Sequence, residues 1–128
     1  MYTSESAWLK RLLRYVLGAA FIAAGANHFL NTGFYLSIMP DYLPWHRALV
    51  YASGVAEMAL GALLFVSRFR KLAAWGMIAL MIAVFPANLQ MALHTGLYPQ
   101  FSELALWLRI PGQAMLIAWA WWYTRPEA

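Results

Sequence analysis

The sequence contains no cysteine and few charged residues. Its 128 residues include nine Lys+Arg and five Asp+Glu, so that 11% of the chain is charged, whereas an average soluble domain has about a quarter. The absence of cysteine excludes thiol nucleophiles, thiolate metal sites and a disulfide-stapled secreted domain. Any redox chemistry would therefore depend on a bound cofactor, a quinone-like substrate or a partner subunit.

Hydrophobic residues, in contrast, make up 63% of the chain. A soluble domain this short buries only about two-thirds of the surface that its unfolded chain exposes, so it could not hide this much apolar surface from water. The same hydrophobicity excludes intrinsic disorder. We therefore expect the lipid bilayer to be a partner of this chain, and no nucleic acid to be one despite the net charge of +4.

Four apolar segments are each long enough to cross a bilayer as a helix, which takes about 20 residues. They run over residues 12–30, 49–66, 72–93 and 104–123. Only short tails and loops remain, which predicts a single all-α integral membrane domain over residues 1–128, built as a bundle of four transmembrane helices. Two pairs of glycines at helical spacing predict close helix packing: Gly18 with Gly25, and Gly54 with Gly61.

The basic residues fall mainly on one side of these segments. Seven of them flank the ends that we predict to face the cytoplasm: Lys10, Arg11, Arg14, Arg68, Arg70, Lys71 and Arg125. The opposite loops contain only Arg47. Because cytoplasmic loops are enriched in lysine and arginine, this pattern predicts a multi-pass protein with both termini in the cytoplasm.

The loop at residues 31–46 is too apolar for a solvated linker, and Pro40 and Pro44 interrupt it. We expect a short interfacial helix followed by a proline-limited turn between the first and second membrane helices. Two interpretations stay open: simple anchoring at the interface, or a lid that holds a lipophilic ligand over the polar side chains of the bundle.

Several polar side chains interrupt the apolar segments: Asn27, His28, Glu57, Asn88, Gln90, Arg109 and Gln113. An ionisable group near the bilayer centre costs about 2.5–3.5 kcal/mol on insertion scales, so such groups usually face the bundle interior and have a partner. At 1.5 Å per residue, these positions fall in one layer in the outer half of the membrane. Pro86 and Pro111 would bend their helices beside it. We therefore predict a polar cavity that opens toward the non-cytoplasmic side.

The same residues also allow a purely structural interpretation. Glu57 and Arg109 could form an interhelical ion pair, with His28 and the amides satisfying the remaining donors and acceptors. No metal is predicted. The candidate ligands would be His28, His94 and Glu57, but the histidines lack the HxxxH or HxxH spacing of helical metal sites.

Several short segments of the chain form a recognisable set: Gly25-Ala26-Asn27-His28-Phe29, Phe34-Tyr35, Met39-Pro40, Tyr42-Leu43-Pro44, Ser53-Gly54 with Glu57, Phe85-Pro86-Ala87-Asn88, and Leu108-Arg109-Ile110-Pro111-Gly112-Gln113. Through these segments the chain resembles the DoxX family of small membrane proteins. The resemblance implies a four-helix protein of the bacterial cytoplasmic membrane. It also implies a link to membrane systems that pass electrons from thiosulfate to quinone, although this chain has no cysteine or soluble redox domain of its own.

These residues predict a binding subunit or small oxidoreductase component. Arg109 would bind a carbonyl or anionic oxygen of a quinone-like or other lipophilic molecule, with Asn88, Gln113 and Asn27 as further ligand-binding residues. Glu57 and His28 would exchange a proton as the catalytic pair. A membrane or periplasmic redox partner would supply the electrons.

Other functions stay open at this level. The chain could be a non-catalytic assembly or partner subunit whose polar layer serves only helix packing. A small transporter would require a homo-oligomer, because one copy has too few spans for a pore and the inner half of the bundle has no polar lining.

Overall fold

A computed structural model of the chain describes residues 4–126, with side chains for residues 7–126. The described part is all-α, and its helices are α1 (Ser4–Leu30), α2 (Thr32–Ser37), α3 (His46–Leu64), α4 (Arg70–Leu93) and α5 (Glu103–Trp122). Short 3₁₀ turns at Ser67–Phe69 and Thr95–Leu97 precede α4 and α5. The ends of the predicted domain, residues 1–3 and 127–128, lie outside the described residues.

Each of the four predicted apolar segments corresponds to one of the four long helices. Helix α1 begins at Ser4 rather than at residue 12, because the helix continues through the polar residues that an apolar criterion leaves out. Helix α2 is the short helix expected in the loop after the first segment. At the start of α5 the Ser102 hydroxyl accepts a hydrogen bond from the Ala105 amide at 3.1 Å, which satisfies one of the free N–H groups of that helix end.

Two stretches of the described chain are long and apolar enough to cross a membrane. They are His46–Leu64 and Ser67–Leu93, with mean hydropathies of 1.3 and 1.9. Helices α1 and α5 do not reach this level. Polar side chains inside their apolar stretches lower the mean hydropathy: Arg14, Asn27 and His28 in α1, and Arg109 and Gln113 in α5. The all-α class and four main helices are confirmed, and two potential membrane spans are supported.

The helices pack in chain order: α1 against α3, α3 against α4, and α4 against α5. The main core lies toward the end of the bundle that contains the C-terminus of α5, and it includes Leu17, Leu64, Met77 and Tyr123. A smaller core toward the opposite end contains Ile38, Met91, Tyr98 and Leu106. The space between these two cores is where the polar side chains of the bundle lie.

The contact between α1 and α3 depends on the two predicted pairs of glycines. A Cβ on Gly25 would lie 2.5 Å from the carbonyl oxygen of Gly54, and one on Gly61 would lie 2.5 Å from that of Gly18. The antiparallel helices therefore approach each other backbone to backbone at two levels. This is the close packing that the glycine spacing predicts.

Two of the basic residues that suggest the orientation are buried inside the protein. Lys10 and Arg14 are each 1% exposed. The Arg14 Nη1 donates a 2.5 Å hydrogen bond to the carbonyl of Leu64 at the end of α3, where a positive charge also meets the negative end of the helix dipole. These side chains thus hold the helix ends together, and the cytoplasmic placement of the termini stays a prediction.

Tyr123 connects the end of α5 to the start of α1. Its buried hydroxyl donates to the Lys10 carbonyl at 3.0 Å and accepts from Trp119 Nε1 at 3.2 Å. We expect Tyr123→Phe to lower the free energy of unfolding by about 1–3 kcal/mol, because the Lys10 carbonyl and the Trp119 indole N–H each lose a hydrogen-bond partner. Thermal unfolding in detergent would measure this. The same substitution at Tyr42, which is 63% exposed, should leave the stability unchanged.

Candidate functional site

Three polar side chains of α4 and α5 form a chain of hydrogen bonds. The Arg109 Nε donates to Asn88 Oδ1 at 3.0 Å. The Asn88 amide donates to Gln113 Oε1, and the Gln113 amide donates to the backbone carbonyl of Met81. That carbonyl directly precedes the one of Ile82, which loses its i+4 amide partner because position 86 is proline. The Gln113 side chain of α5 thus hydrogen-bonds to the backbone of α4 one residue before the carbonyl that Pro86 leaves without its helical partner.

His28 and Glu57 form a second polar cluster, between α1 and α3. The His28 Nε2 lies 3.4 Å from Glu57 Oε2, and both side chains are largely withdrawn from solvent, at 9% and 19% exposed. On the other side of the ring, His28 Nδ1 lies 2.9 Å from the carbonyl oxygen of Val50. A carbonyl oxygen only accepts, so Nδ1 carries a hydrogen and Nε2 is the nitrogen that faces the carboxyl group. The histidine and the carboxyl group therefore face each other across 3.4 Å.

The predicted ion pair between Glu57 and Arg109 is not the arrangement found. Glu57 pairs with His28, and Arg109 bonds to the side-chain oxygen of Asn88 instead. The reason is helical geometry: α1 packs directly on α3 and places an imidazole beside the carboxyl group, whereas α5 packs on α4 and so meets Asn88 first.

Asn27 lies apart from the residues grouped with it on the basis of sequence. Its amide donates to the Tyr35 hydroxyl at 2.8 Å, and its oxygen accepts from Asn31. Tyr35 of α2, in turn, packs its ring against His28 with the ring centroids 4.1 Å apart. Tyr35 carries no distinct signal in the sequence, since an aromatic residue in an apolar loop favours a place at the membrane interface. The structure instead makes it a neighbour of the catalytic candidate His28.

Four of the predicted site residues line one cavity of about 450 Å³, which we call the polar groove. They are Glu57, Asn88, Arg109 and Gln113. Helix α1 contributes a wall that includes Ala20 and Ala24, and α5 contributes the opposite wall. The exposed residues on both walls show that the groove opens sideways between α1 and α5. Glu57 is the residue that belongs both to this groove and to the cluster with His28.

A second cavity, of about 490 Å³, lies on the other side of α4 and is almost entirely apolar. Met39, Tyr42 and Leu43 of the loop before α3 form part of its lining. The loop predicted as a lid therefore covers this apolar cavity and does not line the polar groove. Ser53, which also lines this cavity, has its hydroxyl 3.3 Å from His28 Nδ1.

The remaining polar candidates do not join the groove. Gln90 lies near Tyr98 in the loop after α4, where burial raises the pKa of the tyrosine hydroxyl and Gln90 partly opposes this shift. The His94 Nδ1 lies 3.2 Å from the Gln90 carbonyl at the end of α4. Among residues 4–126, no group of three or more His, Asp and Glu side chains is placed to hold a metal ion.

Residues 17–124 match the sequence model of a family that is described as a domain of unknown function, DUF8561. The match spans most of the chain and includes every residue that lines the polar groove. It does not assign the chain to the DoxX family. Neither a curated protein nor a solved structure matches the chain.

Proposed function

The chain belongs to the DUF8561 family, and we propose that it is an integral membrane protein whose polar groove binds a quinone-like or other lipophilic molecule. Within the bound complex, Arg109 hydrogen-bonds an oxygen of the head group, and Glu57 with His28 exchanges a proton with it. The chain would then serve as a small component of a membrane oxidoreductase.

The exposure of the apolar helices supports the membrane location. Only 22% of the apolar window in His46–Leu64 and 28% of that in Ser67–Leu93 is buried within the protein. A core helix of a soluble protein would be mostly buried, whereas most residues of these two windows keep part of their surface exposed. Lipid is the solvent that accepts such a surface at no cost.

The position of Glu57 is the observation that carries the proposed chemistry. Its carboxyl group touches His28 on one side and lines the groove beside Asn88 and Arg109 on the other. In a purely structural ion pair, the Glu57 carboxylate and the Arg109 guanidinium would contact each other. Here the acid is held by an imidazole of fixed tautomer, and the guanidinium faces a cavity that is open to the lipid side.

Reduction of a quinone to a quinol takes up two electrons and two protons, and this chain holds no redox centre in its amino-acid sequence. Electrons would come from a membrane or periplasmic partner protein, and protons would pass through the Glu57–His28 pair. The DoxX resemblance supports a quinone as the molecule bound and the bacterial cytoplasmic membrane as the location. It shares with the groove the residues Glu57, Asn88, Arg109 and Gln113.

The proposal is tested by mass spectrometry of the lipophilic molecules that the purified protein retains. We expect a specific molecule to co-purify with the wild-type chain and to be lost from Arg109→Gln, because the head group loses its charged hydrogen-bond donor. Arg47→Gln is the matched control, since Arg47 is exposed and bonds only to the Tyr51 hydroxyl among the described residues. Equal retention by all three proteins would contradict the proposal.

One observation favours a non-catalytic assembly subunit as the second candidate. The Asn88 amide donates to Gln113, and the Gln113 amide donates to the backbone carbonyl of Met81. Hydrogen bonds that stay within the protein in this way are typical of a network that only fixes helix packing. In that case Arg109→Gln and Glu57→Gln would fail to accumulate in the membrane. A stoichiometric partner would also co-purify with the wild-type chain whether or not a small molecule is retained.

A further inference from the structure

The two charged residues of the polar groove are not each other's counter-ion. His28 contacts Glu57 at 3.4 Å through the nitrogen opposite the one that faces Val50. The closest ionisable partner of Glu57 is therefore His28, and no ion pair joins Glu57 to Arg109 among the described residues.

Arg109 has a neutral partner. Its Nε donates to the amide oxygen of Asn88, and among the described residues no carboxylate lies within ion-pair distance of its guanidinium. Neither does another lining residue supply a negative charge, because the rest of the groove consists of amide and apolar side chains. The exposed guanidinium of Arg109 thus lines a largely apolar groove without a carboxylate within ion-pair distance, and it is accessible to an anionic ligand.

We propose that the polar groove binds an amphiphile with an anionic oxygen head group, a carboxylate or a phosphate, and a single hydrocarbon tail. This inference rests on the proposed function and names the class of molecule that the groove takes. The terminal nitrogens of Arg109 offer the planar, two-pronged donor that suits both kinds of head group. Ala20 and Ala24 on α1 and Leu116 on α5 provide the apolar walls along which one tail lies.

The groove dimensions argue for one tail rather than for a bulky ligand. Its volume of about 450 Å³ is near the lower end of the range for small-molecule sites, which is about 300–1,000 Å³. The opening between α1 and α5 lets the tail extend from the groove into surrounding lipid. A ligand could therefore enter sideways from the bilayer with its head group leading toward Arg109.

The test measures binding of matched single-tail probes to the full chain in nonionic detergent. The probes are palmitate, hexadecyl phosphate and hexadecanol, which share a sixteen-carbon tail and differ in head group. We expect at least one anionic probe to bind about tenfold more tightly than the alcohol, as hydrogen bonds to charged groups allow. This preference should disappear in Arg109→Gln and persist in Arg47→Gln. Preference for palmitate alone points to a free fatty acid, and preference for the phosphate alone points to a lipid head group.

Two outcomes would overturn the inference. Equal affinity for the acid, the phosphate and the alcohol would show that the charge of Arg109 does not select the head group. Binding of decylubiquinone without binding of either anion would also reject it while leaving the proposed function in place, whereas failure of all four probes would reject both. If Arg109→Gln does not accumulate, Arg109→Lys keeps the charge but lacks the planar fork, and a reduced preference for the anion is expected there.

Discussion

The double substitution Gly25→Ala with Gly61→Ala is expected to lower the free energy of unfolding by about 2–6 kcal/mol, because overpacking one site typically costs about 1–3 kcal/mol. Each new Cβ would lie 2.5 Å from a carbonyl oxygen of the facing helix. A backbone oxygen cannot turn aside as the end of a side chain can. The two clashes also lie at different levels, so that tilting one helix cannot relieve both.

Such a loss is large against a typical stability of about 5–15 kcal/mol. Thermal and denaturant unfolding of the purified protein in detergent would measure it, together with the amount that accumulates in the membrane. Gly112→Ala is the matched control, since a Cβ there meets nothing within 4 Å. Alanine is the better helix former by about 1 kcal/mol, so the control should be unchanged or slightly stabilised. A double variant as stable as the wild type would contradict the close packing of α1 on α3.

The sequence was sufficient for the helices because their determinants are local. The lengths of the apolar segments predicted one long helix for each segment, and the paired glycines predicted the close packing between α1 and α3. The loop between them kept its short helix because Pro40 and Pro44 limit where a longer one could continue. The polar start of α1 was missed for the same local reason, since Lys10 and Arg11 end an apolar stretch without ending a helix.

Local sequence patterns do not predict which polar side chains of different helices contact each other. Depth along each helix correctly suggested that Glu57, Asn88, Arg109 and Gln113 lie near one another. It did not say which helices are neighbours, so an ion pair of Glu57 with Arg109 stayed open, whereas the structure places His28 beside Glu57. Successive residues on a helix also point about 100° apart, which sends Asn27 toward Tyr35 while His28 faces α3.

The second large effect is expected from His28→Leu, which should destabilise the protein by about 3–5 kcal/mol, the usual cost of removing one partner of a buried pair. The Glu57 Oε2 is buried and has no hydrogen-bond partner besides the contact with this imidazole in the described residues. Leucine would leave that carboxyl group facing an apolar side chain. Unfolding in detergent measures the loss, and a stability close to that of the wild type would show that the pair contributes little.

A double-mutant cycle separates the pair from its surroundings. His28→Leu with Glu57→Leu should recover most of the stability lost in His28→Leu, because well-packed apolar residues often replace a buried pair without loss. Glu57→Gln should be mild, since the glutamine amide can donate to His28 Nε2 while Nδ1 keeps its bond to Val50. This variant nevertheless lacks the proton that a carboxyl group can exchange. Stable Glu57→Gln protein that loses its bound molecule would therefore identify ligand binding, rather than helix packing alone, as a role of the carboxyl group.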